Sequence, residues 1–193
     1  RRNVELLTTL SQQDLKHLAP ILTFQSVADN TVDAKAVLTD LYLHLPQQRH
    51  QLVMFDINRT QVNLSLMALD PLTALNAAIN GKELAFDFTL VENTGEQRGA
   101  VHARSVTSGV IESVSQVWPK QVYSLSHIAL PFPRHDTLYG PIKSSLRHRV
   151  QIGAGASKGE GGVLSVTSSQ ILRQKWNPFF EFMTAKMDNL ITD

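Results

Sequence analysis

The chain has 193 residues, no cysteine, 42% hydrophobic and 18% charged residues, and 18 basic against 17 acidic side chains for a net charge of +1. That length and apolar content suit one folded domain, or a piece of a larger one, and lie far from a disordered chain. Without cysteine there is no disulfide framework, thiolate metal site or cysteine nucleophile. The balanced charge gives nucleic-acid binding no support, and no apolar run reaches membrane-spanning length.

The chain opens Arg1-Arg2-Asn3-Val4-Glu5, with neither an initiator Met nor a signal-peptide pattern, so it is expected to start inside a longer protein. Residues 3–18 predict a helix on the apolar stripe Leu6, Leu7, Leu10, Leu15 and Leu18, ended by Pro20. The run Ile21 to Phe24 suits a buried strand, and a polar loop follows over 26–31. Residues 33–45 predict a helix with Asp33 as N-cap and Pro46 as stop. Gln51 to Ile57 is a second buried-type strand. Strand, helix and strand within this span form a βαβ unit, which calls for a parallel sheet with a right-handed crossover.

Asp70-Pro71 starts a short helix over 71–79. Phe86, Phe88 and Leu90 alternate with polar positions, so 84–92 predicts a strand. Asn93-Thr94-Gly95 is a turn, and 98–106 is its hairpin partner. Residues 107–120 carry no clear period. Residues 121–125 read as a strand leading to His127, and 131–145 as an ordered loop. The glycine-rich stretch 153–162 is a loop. Asn177-Pro178 opens a final helix with Phe179, Phe182, Met183, Met187 and Leu190 on one face.

In a parallel α/β sheet, functional groups collect beyond the carboxyl ends of the strands. Two residues stand there. Asp29 follows the first strand, and His127 follows the strand over 121–125. A carboxylate beside an imidazole fixes its tautomer and stabilises the imidazolium formed in general base catalysis. Each residue also has a plainer role: Asp29 as an Asx turn, His127 as a structural histidine. Asp56, at the end of the second strand, reads as structural or as a ribbon-edge residue, and His135 as a solvated loop residue. His17, His44, His50, His102 and His148 have no motif around them. Gly155-Ala156-Ser157-Lys158-Gly159 matches the G-x-S-x-G elbow, but Gly161-Gly162 follow where the elbow needs a helix, and a serine after the acid reverses the hydrolase order.

The segment from Pro20 through Asp29 to Val32 resembles the acid-bearing strand and loop of α/β-hydrolases. Tyr123 to Pro133 around His127, continuing to Leu138–Pro141, resembles the histidine segment of a bacterial subgroup close to lysophospholipases and monoacylglycerol lipases. Arg173 to Phe180 is similar to that subgroup's C-terminus. The resemblance implies that residues 1–193 are the C-terminal portion of one α/β-hydrolase domain. Its sheet would be mostly parallel with flanking helices, with 1–19 a lid-proximal helix and 60–120 an inserted, hairpin-containing region. It implies Asp29 as triad acid and His127 as general base. The nucleophilic serine and oxyanion loop would lie upstream, in an N-terminal part that is this chain's partner, so the chain alone is expected to be inactive. Acyl esters or lipid-like molecules are the implied substrates, and no metal or organic cofactor is implied. The parallel strands would also present an open sheet edge through which the chain self-associates. The competing reading is a non-catalytic binding or interaction module that keeps the hydrolase scaffold.

Overall fold

The computed structural model describes residues 15, 17–29, 32–57, 59, 61–95, 99–119, 132–136 and 176–192. The helix expected over 3–18 falls almost wholly outside them, as do the strand at 121–125, His127, Ser157 and the loop 153–162. Leu15 is described and buried.

Five strands form one sheet whose spatial order is the chain order. β1 (Leu22–Ser26) and β2 (Gln51–Asp56) run parallel, with Leu22 opposite Gln51 and Ser26 opposite Phe55. β3 (Asp87–Asn93) lies parallel to β2, with Asp56 opposite Glu92. β4 (Ala100–Ser105) and β5 (Ile111–Val117) then add as antiparallel hairpins. The class is α/β, parallel at its start and antiparallel later. The expectation of mostly parallel strands therefore holds for β1–β3 only. Residues 60–120, expected as an insertion, supply three of the five strands and pair directly onto β2.

The β1–β2 connection carries α1 (residues 34–44). It opens as one α turn at Ala34–Ala36, widens to a π segment over Val37–Leu41 and tightens to a 3-10 turn at Tyr42–His44. Asp33 caps its start by accepting from the Lys35 N–H at 2.8 Å. Tyr42 is fully buried at its end, and its hydroxyl donates to the Gln51 carbonyl at 2.7 Å and meets the Thr23 hydroxyl at 2.8 Å. One side chain thus ties α1 to both parallel strands. Burial pushes the Tyr42 phenol up to about 12, so it stays a neutral donor.

Between β2 and β3 lie α2 (Gln61–Leu66) and α3 (Pro71–Ile79). The start of α3 is as the sequence predicts: Asp70 accepts from the Leu72 N–H at 2.9 Å, and Pro71 fills the first turn, where its missing N–H costs nothing. α4 (Phe180–Thr192) is the final helix. Asn177 holds its entry by accepting from the Phe179 N–H at 2.8 Å.

Period-2 alternation sorts the strand residues onto two faces. Leu52, Met54, Phe88 and Leu90 pack with Leu38, Tyr42 and Leu75 under α1 and α3. Val53, Phe55, Val91, Val101 and Ala103 pack with Phe179 and Met183 under α4. The ring of Phe55 meets those of Phe179 at 5.8 Å and Phe182 at 6.4 Å. The apolar stripe of α4 fades along its length, since Met187 is exposed.

Candidate functional site

The carboxyl ends of β1, β2 and β3 share one edge of the sheet. In this architecture that edge is where side chains can meet a ligand without breaking strand pairing. Three groups of charged side chains stand along it.

Asp29 lies on the loop after β1. Its N–H donates to the Ser26 carbonyl at 3.2 Å, and its Oδ1 accepts from the Val32 N–H at 3.3 Å. This is a local side-chain-to-backbone bond three residues on, one residue beyond the reach of an Asx turn. The Gln25 side chain braces the same loop, its Nε2 donating to the Val32 carbonyl at 3.0 Å. The capping of α1 falls to Asp33, so the helix start does not depend on Asp29. A carboxylate can accept several hydrogen bonds, so this bond and an imidazole contact are compatible on one side chain. His127 lies outside the described residues, and so does any pairing of it with Asp29.

Asp56 ends β2 and is buried. Both of its oxygens take the Arg59 Nε–H at 2.7 Å. Arg59 in turn reaches Asp70, at 3.0 Å through Nη1 and 2.8 Å through Nη2, while its backbone N–H donates to Asn93 Oδ1 at 2.9 Å. One arginine thus links the ends of β2 and β3 to the cap of α3. Desolvation pushes the Asp56 carboxyl up to about 6, even with the guanidinium beside it. Arg59 holds Asp70 below its ordinary value.

Glu92 lies opposite Asp56 on β3, on the same face. It accepts from Arg104 Nε at 2.6 Å and Nη2 at 3.0 Å, and it meets His102 Nε2 at 3.1 Å. Arg104, then His102, lowers the Glu92 carboxyl against the cost of its partial burial. The two carboxylates on adjacent strands are therefore pushed in opposite directions, one by burial and one by a cation.

Sequence reading did not assemble either network. In the sequence Asp56 has a structural or ribbon-edge reading, and that reading does not join Arg59 and Asp70 to it. The signal was present in Asp56 and Arg59 three residues apart, beyond an apolar run. Glu92, His102 and Arg104 meet only through the hairpin register, in which Glu92 faces His102.

The other described histidines are structural or solvated. His50 is fully buried; its Nδ1 accepts from the Ile21 N–H at 3.1 Å, and burial lowers its pKa, so it is held neutral. His135 is exposed. Among the described residues, no group of three or more His, Cys, Asp or Glu side chains can hold a metal ion. None of the described helices is long and apolar enough to cross a membrane.

A groove of about 1060 Å³ lies at the far end of this edge, lined by β5, the 133–135 turn and α4. β1 and β5 are four strand spacings apart, about 19 Å, so the groove does not contain Asp29.

No family model, curated protein or solved structure matches this chain. The chemistry of the edge therefore stands on its own geometry.

Proposed function

We propose that Asp29 is the acid of a Ser-His-Asp triad in a carboxylic-ester hydrolase of α/β-hydrolase type, with His127 as general base and the nucleophilic serine on a segment preceding this chain. The observation that supports this reading is the position of Asp29. It sits on a braced loop at the carboxyl end of a parallel strand, while the next helix takes its cap from Asp33. In the proposed reaction the imidazole of His127 takes the serine hydroxyl proton as the oxygen attacks the ester carbonyl. The proton then goes to the leaving alcohol, and an acyl-serine remains. Water, deprotonated by the same imidazole, releases the acid. Asp29 orients the ring and stabilises its charged form. The substrate class is an acyl ester or lipid-like molecule. Under this reading the outer edge of β1, which has no described strand beside it, pairs with the preceding segment or with a second copy.

The second reading is a non-catalytic module with the same scaffold. The bond to the Val32 N–H favours it, because it gives Asp29 a local role that needs no histidine.

Hydrolysis of p-nitrophenyl esters of short and medium acyl chains separates the two. The chain is measured beside a longer form that includes the preceding segment. Activity in the longer form alone, lost in Asp29→Asn and His127→Ala, supports the triad. Activity of the chain alone overturns an upstream serine and turns attention to Ser157. Silence in both supports the module.

A further inference from the structure

The groove between β5 and α4 has chemistry of its own, apart from Asp29. Its charges are sorted along its length. Arg134 stands where α4 begins, Glu181 lies in the first turn, where its Oε2 accepts from Gln116 Nε2 at 3.2 Å, and Asp188 lies farther along the helix, with the small Thr184 and Ala185 between them. The amino end of α4 adds the positive pole of its dipole to the Arg134 end.

Arg134 is held by stacking. Its guanidinium carbon lies 5.5 Å from the centre of the Trp176 ring. Stacking occupies the face of a guanidinium and leaves its in-plane N–H groups for an acceptor. Arg134 makes no ion pair with any described residue.

The opposite wall is a sheet edge. β5 has a strand partner on one side only in the described sheet, and its Ser115, Gln116 and Val117 line the groove. Such an edge offers main-chain groups to an extended segment. The register between β4 and β5 slips around Ala100 and His102. A bulge of this kind bends and twists a strand, so a short segment can follow the edge where a long flat strand of a second copy cannot.

We propose that this groove binds a short extended peptide segment, with a carboxylate at the Arg134 end and a basic side chain three or four residues away against Glu181 and Asp188. The spacing follows from the helix. Asp188 lies eight residues along α4 from Phe180, about 12 Å at the helical rise, and three or four extended residues cover that distance at about 3.3 Å each.

Trp118 and Trp176 are the two tryptophans of the chain, and both line the groove, so intrinsic fluorescence reports it. The probe is the peptide acetyl-Lys-Thr-Val-Thr-Glu-amide, titrated beside versions with Lys or Glu replaced by Gln. The dipolar peptide shifts the emission, and each replacement weakens binding about threefold to fivefold, as for exposed ion pairs. Arg134→Met erases the preference for the Glu-bearing peptide and keeps the preference for Lys. The Glu181→Gln, Asp188→Asn double variant does the reverse. A folding defect does not produce that crossed pattern. Unchanged emission at millimolar peptide overturns the proposal. So does equal binding of the three peptides, a Glu preference that survives Arg134→Met, or acetate competing as well as the peptide. None of these variants touches Asp29 or His127, so the result is read apart from the ester assay.

Discussion

In β2 five of six residues are buried, whereas β5 buries none of its seven. β2 lies between two layers of helix and is apolar on both sides, as a parallel strand must be when crossover helices cover each face. β4 alternates instead, placing Val101 and Ala103 under α4 and His102 and Arg104 on the half-exposed side. The parallel half is thus held by burial on two faces. The antiparallel half is held by burial on one face and by a cross-strand charge network on the other.

Truncation separates the two halves most sharply. Phe55→Ala removes a fully buried ring that touches Phe179 and Phe182 and should cost about 3–5 kcal/mol in urea unfolding. Ile111→Ala, at an exposed position of β5, should stay within about 0.5 kcal/mol. Similar losses at both sites would end the distinction.

Next in size is the charge strut. Arg59→Met strands the buried Asp56 carboxylate and should cost about 3 kcal/mol at neutral pH, less in acid as Asp56 takes up a proton. In the native chain the raised Asp56 pKa contributes stability that is fully present below the ordinary carboxylate range. That contribution is lost as pH rises through about 6. Asp70 and Glu92 are lowered and act oppositely, losing their contribution as pH falls. Asp56→Asn should therefore gain on the native protein as pH climbs from about 4 to 7. A urea midpoint difference that narrows in the other direction would contradict the assignment.

Tyr42→Phe should cost about 1–2 kcal/mol, because it leaves the buried Gln51 carbonyl and Thr23 hydroxyl without that partner. The smallest effect belongs to Asp29→Asn. The amide oxygen can still accept from the Val32 N–H, so thermal unfolding should move by less than about 0.5 kcal/mol. Under the triad reading that same change removes esterase activity, which would mark Asp29 as functional rather than structural.

The parallel half was legible because its signals are local. Apolar runs at Ile21–Phe24 and Gln51–Ile57, the cap at Asp33 and the Asp70-Pro71 start each act within a few residues, and the observed elements fall close to the expected ones. The antiparallel half was less so. The apolar residues of β5 are Ile111, Val114 and Val117, spaced by three, because the slip against β4 breaks the two-residue period on which a strand is recognised. α2 went unread because a six-residue helix of mixed polarity carries little periodicity. At the candidate site, Asp29 was placed correctly at a strand end. The Glu92, His102 and Arg104 network depends on which residue faces which across a hairpin, and that is fixed only by pairing.

The strand order has a consequence for synthesis on the ribosome. Each strand docks beside the one made just before it, so the sheet can grow in step with the emerging chain. The second face cannot. Phe55 must wait for Phe179, which is made 124 residues later, before its ring is covered. Until then the nascent chain shows an apolar sheet surface under which α4 has yet to arrive. That is the surface a chaperone would meet first.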